Sequence, residues 1–410
     1  MRFIFSPPAD HAAGLLTLPW SEPLADWRDE RLVEIRQRGI SRHVVRFVYN
    51  DDTLYALKEL SERLARREYR LLRALAELGV PAVEVVGVAV DRDGPGRGAE
   101  DAILVTRFLS YATTYRAVFS NPRGLQPTDG LLDALVELLV RLHLSGFFWG
   151  DCSLSNTLFR HDAGTLEAYL VDAETSEQHP ELTDGQRQWD VELASERVYG
   201  ELLDLQAGEL LPADVEPTEI AEELGRRYES LWRELTREEI LRPEEQRYRI
   251  AERLRRLNEL GFDADEVELV STGDGNKLRL KTRVAETGHD SRKLFLRTGI
   301  DAGERQARRL LNDMAAFRAW LEQKQGRPVS EVVAANRWLE EVYDPVTAAI
   351  PEDLRGRLSP AEIFHEVLEH RWYMSEAAGR DVGTSAAAKA YFEQVLPAAP
   401  EPMTADDAQV

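Results

Sequence analysis

Three oxygen-bearing side chains stand near one another in the chain. Asp151 and Asn156 lie in Leu142-His-Leu-Ser-Gly-Phe-Phe-Trp-Gly-Asp-Cys-Ser-Leu-Ser-Asn156, and Asp172 ends the short apolar stretch Tyr169-Leu-Val-Asp172. One carboxylate so placed meets an incoming hydroxyl, while an amide oxygen and a second carboxylate, on neighbouring segments, converge on a hard divalent cation such as magnesium. An Asp-x4-Asn pair alone occurs by chance in any charged protein, and the same residues serve as turn formers or caps. The upstream Leu-His-x-x-Gly and the downstream Leu-Val-Asp make it a signal.

The chain has 410 residues, enough for two units with cores of their own. Hydrophobic content of 43% and charged content of 30% describe a soluble globular protein. Its 51 basic and 73 acidic residues leave a formal net charge of −22, which disfavours a nucleic-acid or anionic-membrane binder while permitting a local basic groove for phosphates. The start, Met1-Arg-Phe-Ile-Phe-Ser-Pro-Pro, lacks the apolar run of a signal peptide, and no stretch stays charge-free for the ~18 residues of a membrane span, so a cytoplasmic location is expected. Cys152 is the single cysteine, which excludes an internal disulfide framework and a cysteine-based zinc cluster; it reads as a small buried filler more than a modifiable thiol. Only six of the basic residues are lysines, and Lys58 is the sole lysine before Lys277.

The elements that must carry these groups follow from pattern. Residues 1–26, with Pro7, Pro8 and Pro23, read as an irregular leader. Leu32-Val-Glu-Ile-Arg, His43-Val-Val-Arg-Phe-Val-Tyr and Thr53-Leu-Tyr-Ala-Leu-Lys58 predict three strands in an antiparallel meander. A helix follows over 61–79, capped by Ser61 and stopped by Gly79 and Pro81. Strands over 83–90 and 102–109 flank a glycine-rich turn; no helix follows it, so it is a hairpin loop and not a dipole-assisted anion site. Amphipathic helices are expected over 125–144 and 186–200.

This order resembles the protein-kinase-like fold, whose catalytic loop has an Asp, four intervening residues and an Asn, followed by a strand that ends in a metal-binding Asp. Tyr55-Ala-Leu-Lys58 resembles the strand that presents the phosphate-binding lysine, and Glu68, before Tyr-Arg-Leu-Leu, resembles the helix glutamate that orients it; Glu62 and Glu77 compete for that role. A lysine in a chain that otherwise uses arginine suits a compact ammonium between phosphate oxygens and a carboxylate. The resemblance implies that Asp151 orients or deprotonates a hydroxyl, that Asn156 and Asp172 hold Mg2+, and that Lys58 with Glu68 grips the phosphates of ATP. It implies further nucleotide contacts at Gly39 and Ser41 in the first hairpin and at Phe108 and Ser110 in the hinge. Asp190 resembles the buried helix aspartate that braces the catalytic-loop backbone, although a first-turn aspartate is common for dipole reasons alone.

The chain departs from the pattern in three places. Gly39 stands alone where the family has three glycines, Trp149-Gly-Asp151 replaces His-Arg-Asp, and Asp172-Ala-Glu174 replaces Asp-Phe-Gly. The missing arginine removes the usual partner of an activation-loop phosphate, which brings the form closer to lipopolysaccharide core kinases and aminoglycoside phosphotransferases. The leading expectation is ATP- and magnesium-dependent transfer to a hydroxyl of a sugar, glycan or other small molecule. The rival is an inactive nucleotide-binding pseudokinase that serves as a sensor or scaffold.

Leu211-Pro-Ala-Asp-Val-Glu-Pro217 reads as a linker. Beyond it the pattern predicts helices over 218–236, 243–260, 303–325, 330–342 and 360–378, and strands over 266–270, 278–284 and 293–297. Gln306-Ala-Arg-Arg-Leu-Leu-Asn-Asp and Phe364-His-Glu-Val-Leu-Glu-His-Arg-Trp resemble an uncharacterised domain, domain of unknown function 4032, that follows a lipopolysaccharide-kinase-like half in high-GC Gram-positive bacteria. It implies no activity; its helices offer a surface for a protein partner. His365 and His370 are five apart, which turns the second away from the first by about 140° and removes them from the zinc-helix pattern. The expected fold is α+β: leader 1–26, a bilobal kinase-like domain 27–212 with an antiparallel sheet lobe and a mainly helical lobe, a second α+β domain 213–397 and a disordered tail 398–410.

Overall fold

The two-residue period of a strand puts Tyr55, Leu57 and Glu59 on one face of Thr53–Leu60 and Ala56, Lys58 and Leu60 on the other. Most of both faces is buried, so each needs a cover. The computed structural model describes all residues except 6–8, 36–41, 51, 93–100, 120–126, 212–214, 237–238, 242–266, 272–277, 283–288 and 400–410. In it the first part of the chain runs β1 (Arg2–Phe5), α1 (Ala9–Leu16), β2 (Leu32–Val33), β3 (Val45–Asn50), β4 (Thr53–Leu60), α2 (Glu62–Glu77), β5 (Val85–Val90) and β6 (Ala102–Arg107). The strands form one antiparallel sheet in the order β1-β5-β6-β4-β3-β2.

Helix α2 covers the face of Leu60 with Ala65, Tyr69, Leu72 and Leu75. The face of Tyr55 and Leu57 is covered by Leu15, Leu18, Trp20, Leu24 and Trp27. Residues 1–26 are therefore no irregular leader. β1 pairs with β5, and the leader supplies the second apolar layer that a two-faced sheet demands. Glu59, buried on that side, accepts from Leu24 N at 3.1 Å and from Arg92 Nη1 at 2.7 Å, while Arg92 Nε donates to Trp20 O at 2.8 Å. At the start of α2 the expected Ser61 cap is absent; Asp101 Oδ1 takes the Glu62 amide instead, at 2.8 Å.

The helical part follows as α3 (Tyr115–Phe119), α4 (Pro127–Leu144), β7 (Phe147–Phe148), β8 (Thr157–Asp162), β9 (Thr165–Leu170), β10 (Glu177–Gln178), α5 (Asp184–Ala207) and α6 (Pro217–Thr236). β8 and β9 make a hairpin, and β7 pairs with β10. Leu224, Tyr228 and Leu231 of α6 share one core with Leu135 and Leu139 of α4 and Val198 and Leu202 of α5. The first core thus extends through α6, past the boundary expected at 212/213.

The remainder runs β11 (Glu239–Leu241), β12 (Val267–Ser271), β13 (Leu278–Thr282), α7 (His289–Thr298), α8 (Glu304–Gln325), α9 (Glu331–Trp338), α10 (Asp344–Ala348), α11 (Pro360–Ala378) and α12 (Thr384–Gln394). Its helices enclose Trp338, Tyr343, Phe364, Tyr391 and Phe392. The strand expected over 293–297 is helix α7: only Leu294 is buried there, and the Glu304 carboxylate caps the Asp290 and Ser291 amides at 3.0 and 3.1 Å. β11 supplies the third strand beside β13. The helix expected over 243–260, and the tail from 400 onward, lie outside the described residues. The whole is α+β: an antiparallel sheet at the N-terminal end, a mainly helical remainder and a second unit.

Leu224→Ala is expected to destabilise the N-terminal unit by about 2–5 kcal/mol in denaturant unfolding, as large-to-small changes in a closed core do. A loss confined to the transition of the C-terminal unit would assign α6 to the other core.

Candidate active site

Lys58 leaves β4 on the side of α2, and α2 turns Glu68 inward beside Tyr69 and Leu72. The Lys58 ammonium lies 3.1 Å from Glu68 Oε2, 2.9 Å from Asp172 Oδ2 and 3.7 Å from Glu174 Oε2. Glu62 and Glu77, the competing helix glutamates, pair with Arg66 and Arg73 on their own helix. His43 Nε2 meets Glu174 Oε2 at 3.0 Å, closing the cluster from β3's side.

Burial opposes the charge on Lys58, but Glu68 and Asp172 outweigh it and hold its pKa above the ordinary ammonium value. Burial opposes the charge on Asp172 too, yet Lys58 and the Glu174 amide hold that carboxyl below its ordinary value. Glu68 goes the other way, pushed up to about 7 by desolvation against the pull of Lys58. The signs differ because one ammonium cannot neutralise three carboxylates, and the least hydrated of them gives way.

The loop that carries Asp151 is held from beneath. Gly146, at φ +77°, allows His179 O to approach to 2.1 Å of where a Cβ would stand, which explains the glycine in Leu-His-x-x-Gly. Asp190 of α5, fully buried, accepts from Trp149 N at 2.6 Å and Gly150 N at 2.8 Å. Its Oδ2 also meets His143 Nε2 at 3.0 Å, and His143 Nδ1 meets the Tyr228 hydroxyl at 2.7 Å. Burial holds the His143 pKa below its ordinary value despite Asp190, so the neutral ring donates through Nε2 to the carboxylate and accepts from Tyr228 at Nδ1. Glu201 of α5 takes the next amides, Leu154 N at 2.7 Å and Ser155 N at 2.9 Å.

Asn156 Nδ2 donates to Asp151 Oδ2 at 3.0 Å and to Asp151 O at 3.1 Å. Val171 N donates to Asn156 O at 3.1 Å, so the base of the β8–β9 hairpin sets Asn156 beside Asp172. Arg197 Nε stands 3.3 Å from Asp151 Oδ1. Lys58, Glu68, Asp172, Asn156 and Asp151 are thereby linked through one chain of contacts. With its amide N–H groups directed at Asp151, Asn156 keeps its side-chain oxygen, and the pair of that oxygen with the Asp172 carboxylate is a hard-oxygen donor set that fits a magnesium ion.

The remaining expected residues fall elsewhere. Phe108 N donates to Leu54 O at 2.9 Å and its ring meets Phe47 edge-on at 5.9 Å, which places it at the end of β6 where the sheet gives way to the helical part. Ser110 is exposed in that connection, next to Tyr111 with φ +59°. Gly39 and Ser41 lie outside the described residues. Sequence reasoning missed His43, Glu174, Arg197 and Glu201. Of these only Glu174 carried a signal, because it fills the glycine place of the altered Asp-Ala-Glu motif.

Residues 28–194 match the family model of the lipopolysaccharide kinase (Kdo/WaaP) family. Residues 230–396 match a second model, domain of unknown function (DUF4032). No curated protein matches the chain. Among solved structures, WaaP in complex with acyl carrier protein is similar at 16% identity and a TM-score of 0.38, over 63% of this chain and 99% of that one.

Glu68→Gln tests the charge balance around Lys58. A carboxyl raised from 4.5 to about 7 on folding imposes no penalty below pH 4.5, a growing one between, and its full penalty above 7. The stability difference between the variant and wild type should therefore move in the variant's favour by on the order of 3 kcal/mol from pH 4.5 to 8. A difference independent of pH would mean that Glu68 keeps its charge throughout.

Proposed function

We propose that the N-terminal unit is a phosphotransferase that moves the γ-phosphate of ATP, with Mg2+, to a hydroxyl of a sugar, glycan or other small-molecule acceptor. The observation that carries this reading is the ion cluster of Lys58 with Glu68 and Asp172, joined through Val171 and Asn156 to Asp151. Bound magnesium supplies charge neutralisation at the phosphate oxygens. Asp172 and Asn156 are the residues that hold it. Lys58 grips phosphate oxygens while Glu68 keeps its ammonium anchored to α2. Asp151, fixed by Asn156, orients the acceptor hydroxyl and takes its proton. Asp190 and Glu201 hold the backbone of the loop, so that little of it must reorganise during transfer. Phosphoryl transfer needs little covalent help from the protein, and positioning provides most of the rate.

The acceptor class follows from what the loop omits. Gly150 stands where an arginine would meet an activation-loop phosphate, and residues 173–183 are the whole connection from Asp172 to α5. Both features favour a small or glycan acceptor over a protein kinase switched by phosphorylation, in keeping with the family match over residues 28–194. A second reading, a nucleotide-binding module without transfer, is favoured by one feature: Lys58 already contacts Asp172 and Glu174, carboxylates that compete with phosphate.

Thermal shift with ATP, with and without Mg2+, alongside ATP turnover, separates the two. ATP should raise Tm, further with Mg2+. Asp151→Ala should lower turnover by roughly 100-fold or more while keeping ATP binding, and Asp172→Ala should lose the Mg2+-dependent part of the shift. Binding with turnover indifferent to Asp151→Ala would support the second reading, and no nucleotide effect would sink both.

A further inference from the structure

The β8–β9 hairpin connects the candidate site to the second unit. It begins at Thr157, directly after Asn156, and ends at Leu170, two residues before Asp172. Six residues on each side pair in register, so its tip lies about 20 Å from its base. At the middle Thr113 N donates to Phe159 O at 2.7 Å and Phe159 N returns a bond to Thr113 O at 3.0 Å, tying the hairpin to the hinge connection.

The tip is closed by a carboxylate from the other unit. Ala163 and Gly164 both take positive φ, +54° and +77°, as a two-residue turn requires. Their amides are taken by Glu362 in the first turn of α11: Ala163 N by Oε2 at 2.7 Å and Gly164 N by Oε1 at 2.6 Å. The hairpin reciprocates. Asp162 Oδ1 accepts from Gln306 N at 2.7 Å and Oδ2 from Arg305 N at 3.1 Å, capping α8. Gln306 Nε2 closes the ring, donating to Glu362 Oε2 at 2.7 Å and to His161 O at 2.8 Å. Arg305 adds bonds to Thr165 Oγ1 at 2.7 Å and Glu137 Oε2 at 3.0 Å.

Glu362, Asp162 and Gln306 are all buried. Buried carboxylates are costly unless their lone pairs are filled, and here the turn amides and Gln306 Nε2 fill those of Glu362 while the N-terminus of α8 fills those of Asp162. At Gly303 a Cβ would stand 2.5 Å from the Asp162 carboxylate, so glycine is what lets α8 approach this closely. Such an arrangement is stiff, because losing one member strands the others.

We propose that the second unit is a positioning element of the phosphotransfer site: Glu362 and Asp162, as positioning residues, hold the hairpin so that Asn156 and Asp172 at its base keep their register. Its catalytic meaning rests on the phosphotransferase reading; its mechanical part does not.

The test uses the full chain, wild type against Glu362→Ala and Glu362→Gln, the latter isosteric and able to accept from only one of the two amides. Hydrogen–deuterium exchange reads the base through the Val171 and Glu174 amides, which bond Asn156 O and Asp172 Oδ1. Exchange there should quicken in Glu362→Ala and less in Glu362→Gln. The Kd for ATP with Mg2+ should rise about tenfold, the range seen when supporting partners of metal ligands are removed, while the Kd for metal-free ATP stays within about twofold. Faster exchange confined to residues 163–164, with Mg·ATP affinity unchanged, would overturn the proposal and leave Glu362 an anchor between units. If wild type binds no nucleotide, the phosphotransferase reading falls alone, and exchange at Val171 still decides whether the tip holds the base. Should Glu362→Ala not fold, Glu362→Gln carries the same comparison.

Discussion

One ammonium shared by three carboxylates constrains everything around it. Lys58 is reached by Glu68 from α2, Asp172 from the end of the hairpin and Glu174 just beyond. The lysine comes from β4, Glu68 from α2, and Asp172 and Glu174 from the segment that leaves the hairpin, so the sheet, its covering helix and the hairpin must meet at one point before any of the charges is compensated. The imbalance is also what makes the point receptive to change. An extra negative charge is held there at a cost, and the cost falls on Glu68, the carboxylate with the least water around it.

A second regularity links this cluster to the rest. The chain has many arginines, yet several of its buried or half-buried carboxylates are satisfied by backbone amides. Asp190 holds the loop before Asp151, Glu201 the loop after it, Asp162 the start of α8, and Glu362 the hairpin turn. A carboxylate with two oxygens grips two consecutive amides and so fixes backbone direction, which a guanidinium on the surface cannot do. The loops that carry Asp151, Asn156 and Asp172 therefore owe their shape to acids at a distance from the chemistry.

How far this was legible depended on whether the cause was local. Lys58 stood out because lysine is scarce, Glu68 because it stands before Tyr-Arg-Leu-Leu at the spacing of the helix it resembles, and the Asp151, Asn156 and Asp172 spacing because loop and strand are contiguous. The N-terminal segment was not legible. Trp20 and Trp27 follow no helical or strand period, and they are buried because a sheet of residues 45–107 has a second face to cover. Residues 293–297 hold a short apolar run that reads as a strand but sit in a helix whose first amides are capped by Glu304 from the next helix. Glu362 was beyond reach for the same reason. Nothing in its neighbourhood separates it from any first-turn glutamate, and its partners lie 199 and 198 positions away.

The closure of the hairpin turn bears on how such a chain is inherited. A gene encoding the first part alone would open the Ala163 and Gly164 amides to water, and one encoding the second alone would strip Glu362 of the turn that covers its carboxylate. Recombination that exchanged the second part for another would have to bring a carboxylate at the same height on a helix, and a glycine to let the neighbouring helix approach. Positions 162, 303, 306 and 362 should therefore drift as a set across lineages, and the two parts should travel as one reading frame.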